Sequence, residues 1–244
     1  MSDDSRFPLT RISWLAGTSN PDPEARQLAW DCLVRAYWKP AYKYLRLRWR
    51  CDPERAQDWT QDFFARALEK GFLADFDPSK ARFRTFLRTC LDGFASNLHQ
   101  ADKAQKRGGG VAPLSLDFDS AEGELTGTTP PAPDALDAYF HREWMKSLFE
   151  LAVSDLQAAC DAEGKARHFA VFRRYDLEAP DRSERLTYAD LATEFGIPQT
   201  QVTNWLHATR ARLRELLLAR LRQVCMDDAE FRAEARSLFG GDQA

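Results

Sequence analysis

The stretch TYADLATEFGIPQTQVTNWLHATRARLR, residues 187–214, carries the clearest structural pattern in the chain. Thr187, followed three residues later by Asp190, is typical of a capping box at the start of a helix. Gly196 allows a tight turn, and Pro198 favours the start of a second helix. The pattern predicts a helix-turn-helix, with these apolar residues on its inner side: Leu191, Ala192, Phe195, Ile197, Val202, Leu206 and Leu213.

The second helix of this motif has two kinds of polar side chain. Amides and hydroxyls near its start can hydrogen-bond to base edges in the major groove of duplex DNA. Basic side chains farther along suit the DNA phosphates. The alternative is a plain helical hairpin with a solvated polar face. The candidate DNA-contacting residues are Gln199, Thr200, Gln201, Thr203, Asn204, His207 and Arg210.

The rest of the sequence also favours helices, and no convincing strand is present. Asp52 and Pro53 form a typical helix start, and Gly71 is a plausible stop. Pro40 is expected to kink or divide the first helix. The fold prediction is all-α, with helical patterns over residues 23–47, 53–70, 83–106, 134–160, 165–175 and 186–224.

The net charge of −3 hides a strong segregation of charge along the 244 residues. Bases concentrate in residues 35–50, 80–107 and 203–222, whereas residues 111–140 contain six acids and no base. The overall charge therefore does not exclude a polyanionic partner, because local basic surfaces decide such binding. Residues 108–133 are rich in Gly, Pro, Thr, Ser and acids, which predicts a flexible acidic linker.

Cysteine and histidine patterns give no sign of a metal or cofactor, and none is expected. The five cysteines are widely spaced, form no CxxC pair and have no matching histidine pattern. No apolar run of about 18 residues exists, so no membrane contact is expected. The polar N-terminus lacks the features of a secretory signal, which predicts a cytoplasmic protein.

Several N-terminal motifs occur in a fixed order: RAQDWTQDFFARA at 55–67, FDP at 76–78, RFRTFL at 82–87 and KAQKR at 103–107. This series resembles region 2 of the extracytoplasmic-function sigma factors of bacterial RNA polymerase. Residues 187–217 resemble region 4 of the same family, and the two matches cover about half of the chain. The chain is also similar to a subgroup whose members often occur beside Ser/Thr kinases.

The resemblance implies two helical domains joined by the linker. Residues 1–25 would be an N-terminal extension, 26–107 the region 2 helical bundle, 134–224 region 4, and 225–244 a tail. It further implies a non-enzymatic protein that binds core RNA polymerase, recognises the −35 and −10 promoter elements and promotes melting. The acidic tail could either fold back on a basic surface or remain mobile.

The resemblance also assigns roles to individual residues. The clamp helices of the largest polymerase subunit would be bound by Asp58, Gln61 and Asp62. Aromatic rings beside cations suit a melted DNA strand, because bases stack on rings and phosphates meet charges. Core packing is the alternative for the phenylalanines and is expected for Phe86. The predicted −10 contacts are Phe76, Lys80, Arg82, Phe83, Arg84, Arg88, Lys103, Lys106 and Arg107.

One departure from the family suggests regulation. Most relatives carry acids at the positions of Arg55 and Gln57, and these acids help to meet basic residues on the polymerase clamp. In this chain only Asp58 and Asp62 remain of that acidic face. A phosphate on Thr60 would restore negative charge, so a Ser/Thr kinase is a hypothesised partner. The alternative is a threonine whose hydroxyl faces solvent.

Two other function classes compete with the sigma-factor interpretation. A stand-alone helix-turn-helix regulator would explain the C-terminal third but would leave the N-terminal motifs unexplained. A nuclease could use Asp58 and Asp62, one helical turn apart, as metal ligands. No His or Glu cluster in the sequence completes such a metal site.

Overall fold

A computed structural model of the chain describes residues 22–77, 79–102, 116–128, 130–178, 186–225 and 227–240. Within these ranges the chain forms helices and no strand, so the all-α prediction is confirmed there. Two short 3₁₀ turns cover Phe72–Asp75 and Pro133–Ala135, and a π-helical turn covers Arg173–Leu177. The α-helices are α1 (Pro23–Arg48), α2 (Pro53–Lys70), α3 (Phe83–Asp102), α4 (Phe118–Gly123), α5 (Leu136–Ala162), α6 (Ala166–Phe172), α7 (Tyr188–Phe195), α8 (Gln199–Val224) and α9 (Asp228–Phe239).

The chain divides into two compact units. The first unit contains the described residues up to Ser147 and those from Gln223 onward, and the second contains Leu148–Arg222. These bounds differ from the predicted division at residue 134. The first part of α5 and the whole of α9 belong to the first unit.

Local capping chemistry explains where α1 and α2 begin and end. The side chain of Asp22 accepts a hydrogen bond from the Glu24 N–H at 3.1 Å, and that of Asp52 accepts one from the Arg55 N–H at 2.9 Å. These bonds satisfy amides that have no partner inside the helix. Gly71 ends α2 in the left-handed conformation, with φ of 64°. The predicted start and stop of α2 are therefore confirmed.

Helix α1 continues through Pro40 without a break. Proline removes one backbone hydrogen bond, which by itself favours a kink or a helix end. Pro40 is buried, however, and α1 packs extensively on α2. Burial of the α1 face outweighs the missing hydrogen bond, and the expected division of this helix does not occur.

Aromatic side chains form much of the core of the first unit. Tyr37 lies between two other buried rings, with centroid distances of 5.8 Å to Trp144 and 5.6 Å to Phe83. Phe63 and Phe64 of α2 are fully buried and contact each other edge to face. Such pairs contribute roughly 0.5–1.5 kcal/mol each beyond the apolar area that they bury.

The prediction of a flexible linker is wrong for residues 116–128, which include α4. Phe118 packs its ring against Trp38 and Tyr42 of α1, at centroid distances of 5.2 and 5.1 Å. Ala121 and Leu125, three and seven residues later, are buried on the same side. This short apolar stripe orders the segment although its average composition is polar.

The second unit contains the predicted helix-turn-helix. The Asp190 side chain accepts from the Thr187 N–H at 2.8 Å, and the Thr187 hydroxyl oxygen accepts from the Asp190 N–H at 3.2 Å. Gly196 ends α7 with φ of 61°, and the Ile197 N–H donates to the Ala192 carbonyl. The capping box and the glycine turn are therefore confirmed.

None of the described helices combines the length and apolar character that crossing a membrane requires.

The glycine of this turn provides a test of the local structure. We expect Gly196→Ala to lower the free energy of unfolding by about 1 kcal/mol, because a Cβ disfavours the left-handed conformation. Gly93 lies inside α3, and a Cβ there would meet no atom within 4 Å. Gly93→Ala should therefore raise stability by roughly 0.5–1 kcal/mol. Urea denaturation measures both changes, and equal effects of the two substitutions would contradict this account.

Candidate nucleic-acid interface

The start of α8 presents a polar surface to solvent. Gln201 is only partly exposed, but the other predicted DNA-contacting residues in the first three turns are exposed: Gln199, Thr200, Thr203, Asn204 and His207. Their spacing of three and four residues places them on one side of the helix. Val202 and Leu206 lie on the opposite side and are fully buried. The structure therefore brings these predicted contacts together on one accessible face.

Helix α6 supports α8 through contacts that the sequence analysis missed. His168 stacks on Trp205 with a centroid distance of 4.2 Å, and the Arg167 guanidinium lies 5.8 Å from the same ring. Arg167 also donates a hydrogen bond to the Phe195 carbonyl at the end of α7. Burial lowers the pKa of His168, with a smaller contribution from the nearby Lys165 charge. Burial therefore favours the neutral form of this imidazole.

Arg210 lies on α8 as predicted, but its guanidinium is paired with a carboxylate of the same unit. Its guanidinium binds both carboxylate oxygens of Asp176, at 2.8 and 2.9 Å, and lies 5.5 Å from the Tyr175 ring. The hydrogen bonds to Asp176 raise the pKa of Arg210. This residue therefore bridges the π-helical turn and α8 within the second unit. Arg210 is still 41% exposed, so a DNA contact at this residue stays a prediction and would compete with the ion pair to Asp176.

The predicted polymerase-binding residues lie on α2. Asp58 is exposed, whereas Gln61 and Asp62 are partly exposed. The Asp62 carboxylate pairs with the Arg66 guanidinium at 2.9 Å, which neutralises part of this acidic face. Among the residues that the structure describes, no group of three or more His, Cys, Asp and Glu side chains is arranged to hold a metal ion.

Thr60, the hypothesised phosphorylation site, is fully buried. Its hydroxyl donates a hydrogen bond of 2.6 Å to the Ala56 carbonyl one turn earlier in α2. The alternative of a hydroxyl that faces solvent is therefore wrong. Phosphorylation of Thr60 stays a hypothesis, and it requires a conformation in which this side chain is accessible. A kinase would reach Thr60 only after α2 had separated from its neighbours.

Two of the phenylalanines predicted to stack on DNA bases are part of the core. Phe83 is fully buried, and Phe76 is only 8% exposed. The Phe76 ring lies 5.3 Å from both the Phe83 and the Phe86 ring centroids. A base cannot stack on either buried ring without opening this cluster, so the prediction for Phe76 and Phe83 is wrong here. Phe86, which was expected in the core, is partly exposed.

The predicted −10 cations are mostly paired with carboxylates. Lys80 is highly exposed and lies 3.3 Å from the Asp77 carboxylate. Arg88 binds Asp92 at 2.7 Å and also contacts the Asp137 carboxylate and the Tyr44 hydroxyl. Arg82 and Arg84 both bind Glu234 of α9. Lys103, Lys106 and Arg107 lie outside the described residues.

Basic side chains of α1 are paired in the same way, by two acids of the stretch predicted to be a linker and by Glu143 of α5. The Glu122 carboxylate accepts hydrogen bonds from the Tyr42 hydroxyl, at 2.7 Å, and from Arg46. Lys43 is almost fully buried and binds Glu124 at 2.6 Å and Glu143 at 2.5 Å. The sequence showed these charges as separate runs, and only the fold shows that they meet.

Glu124 is the centre of this charge cluster. Burial raises the pKa of Glu124, but contacts with Lys146, Lys39 and Lys43 oppose burial and lower it to about 2. The carboxylate therefore stays ionised where an ordinary glutamate would be half protonated.

No protein-family model, no curated protein and no solved structure matches this chain.

Burial of Thr60 leads to a testable difference between two substitutions. Thr60→Val keeps the shape and loses one hydrogen bond, so we expect it to cost less than about 1 kcal/mol. Thr60→Asp buries a carboxylate without a cation, so it should cost about 3 kcal/mol or more. Urea denaturation compares the two variants. If Thr60→Asp proved as stable as Thr60→Val, the hydroxyl would have to be accessible.

The depressed pKa of Glu124 predicts a pH dependence of stability. Above its usual pKa of 4.5, Glu124 is ionised in both states and its contribution to stability is complete. As pH falls toward about 2, the native carboxylate becomes protonated and this contribution is lost. The free energy of unfolding of Glu124→Gln should therefore fall less steeply across this range than that of the wild type. Identical slopes in acid denaturation curves would contradict the assignment.

Proposed function

We propose that this protein is a sigma factor, which directs bacterial RNA polymerase to promoters by reading the −35 element and promoting opening at the −10 element. The observation that supports it most directly is the accessible face of α8, with Gln199, Thr203 and Asn204 beside one another near the helix start. In a helix-turn-helix this end enters the major groove, where amides and hydroxyls can distinguish bases. The proposed function implies action in the cytoplasm.

The first unit would contribute contacts to polymerase and to the melted strand. Asp58 and the partly exposed Gln61 are the side chains of α2 best placed to meet a basic surface on the polymerase clamp. Lys80 and Arg82, at 81% and 48% side-chain exposure, are the most accessible of the described −10 cations. With Phe76 and Phe83 buried, binding of a melted strand would begin with phosphate contacts and not with stacking on these two rings.

A Ser/Thr kinase stays a predicted partner in this proposal. Because Thr60 is buried, modification there would have to accompany a separation of α2 from the rest of the first unit. Such a change would also expose Phe63 and Phe64, which are fully buried. Phosphorylation at Thr60 would therefore accompany a large conformational change rather than simply add charge to an existing surface.

A stand-alone DNA-binding regulator is the second candidate. The pairing of Arg82, Arg84 and Arg88 with carboxylates favours it, because such cations are already occupied in the isolated chain. Co-purification separates the candidates. A sigma factor should be retained by purified core polymerase, whereas a stand-alone regulator should bind duplex DNA equally well without it.

Run-off transcription tests the proposed function. Purified core enzyme with this protein, on genomic promoter fragments, should yield transcripts from defined start points. Gln199→Ala and Asn204→Ala should each reduce this transcription about tenfold, since one good base contact is worth roughly 1–3 kcal/mol. Gln157→Ala, which removes an exposed amide elsewhere in the second unit, is the matched control and should have no effect.

If run-off transcription uses no specific start point, with or without prior kinase treatment, the sigma-factor function is wrong. If transcription occurs but Gln199→Ala and Asn204→Ala behave like Gln157→Ala, then α8 does not read the promoter as proposed.

A further inference from the structure

Helix α9 places a buried carboxylate against the predicted strand-binding cations. Glu234 is fully buried, and its Oε1 accepts a hydrogen bond from Arg82 Nη1 at 2.7 Å. Arg84 Nη1 binds the same oxygen, and His141 Nε2 lies 3.2 Å from Oε2. A carboxylate is costly to bury unless cations pair with it, so Arg82 and Arg84 make the position of Glu234 favourable.

The pKa of Glu234 agrees with this geometry. Burial raises the pKa of Glu234, but the contact with His141, followed by those with Arg84 and Arg82, opposes burial and lowers the pKa to about 2. The group is therefore an anion at every ordinary pH. The site around it binds negative charge and is filled by a residue of the same chain.

A second carboxylate of α9 occupies the start of α3. Glu230 Oε1 accepts a hydrogen bond of 3.2 Å from the N–H of Phe83, the first residue of this 20-residue helix. The first amides of a helix lack partners within the helix and carry the positive end of its dipole, so they bind anions. Glu230 and Glu234 are four residues apart, so one side of α9 delivers both carboxylates.

A depression lies beside the contact between α9 and the residues at the start of α3. This depression of about 390 Å³ is lined by Arg82, Arg84, Thr85 and His141, and also by Asp137. Arg82 is about half exposed toward solvent even with α9 in place. An incoming anion could therefore bind Arg82 before the carboxylates of α9 leave.

The attachment of α9 combines these polar contacts with limited apolar burial. The helix has 12 residues, of which Glu234 and Ala235 are fully buried, whereas Phe231, Leu238 and Phe239 are partly buried. A helix of this length is marginal by itself in water, and elements with little buried apolar surface open first. A competing anion for the same cations would therefore weaken the hold of α9 on the first unit.

We propose that Arg82, Arg84, His141 and the start of α3 form a phosphate-binding site for the backbone of a single nucleic-acid strand, and that α9 occupies it as an internal competitor. The identity of the ligand rests on the proposed function. In this arrangement two backbone phosphates replace the carboxylates of Glu230 and Glu234. Strand binding then requires α9 to leave, so the chain on its own binds a strand weakly.

Oligonucleotide binding tests the competition. Fluorescence anisotropy with a labelled oligothymidylate at low salt should show at least about tenfold tighter binding to full-length Glu234→Gln than to the wild type, because the variant no longer competes with charge. Glu230→Gln should show a smaller gain. Asp119→Asn removes the same charge from an exposed position of α4 and is the matched control. Equal affinity of Glu234→Gln and Asp119→Asn would overturn the proposal.

Hydrogen exchange on the wild type gives a second readout that needs no substitution. Saturating oligothymidylate should remove protection from the amides of α9 while those of α1 stay protected. If the oligonucleotide binds and α9 remains protected, the two do not compete. This result would overturn the proposal even if Glu234→Gln failed to fold.

The two proposals can fail separately. If Glu234→Gln gains affinity but neither form directs transcription with core polymerase, the competition stands and the sigma-factor function falls. If the wild type directs transcription but neither form binds the oligonucleotide, the function stands and the phosphate site at α3 falls. A duplex of the same length reports on α8, and its affinity should not change in Glu234→Gln.

Discussion

Ion pairs between residues far apart in sequence hold the first unit together. Its paired basic side chains come mainly from α1 and from residues 82–88, and the acids that meet them come mainly from residues 122–124, α5 and α9. Lys43 with Glu143, and Arg82 with Glu234, are separated by 100 and 152 residues. Because Lys43 and Glu234 are buried, neither could lose its partners without a large desolvation cost. The charges of α1 and α3 therefore help to position α9 and, beside the apolar contacts of Phe118, the segment that contains α4.

This pairing also changes how the charge of the chain affects binding. The sequence separates basic and acidic runs, which predicts strong local fields toward a polyanion. In the folded first unit many of the described cations lie within hydrogen-bonding distance of carboxylates, which weakens their fields toward solvent; they are Lys39, Lys43, Arg46, Arg82, Arg84 and Arg88. The accessible face of α8 in the second unit differs from these charged surfaces, because the side chains near its start are mostly neutral amides and hydroxyls. DNA recognition by this face would depend less on salt than recognition by a basic surface.

Local features could be predicted from the sequence, and distant contacts could not. The caps at Asp52 and Thr187 and the turn at Gly196 act within a few residues, so short patterns reveal them. The order in α4 was missed because an average over a polar stretch hides three apolar residues. The burial of Thr60 could have been found, since Ala56, Phe63 and Ala67 share its side of α2. No local pattern predicts that Glu234 meets Arg82.

The long separation between Arg82 and Glu234 has a consequence for synthesis of the chain. A ribosome makes α3 well before α9, and domains can begin to fold during translation. Until the segment with Glu234 emerges, Arg82 and Arg84 have no carboxylate from α9 to pair with. Nascent protein is therefore more cationic on this surface than the finished molecule. Completing α9 supplies the missing carboxylates, so translation itself sets how long these arginines wait for them.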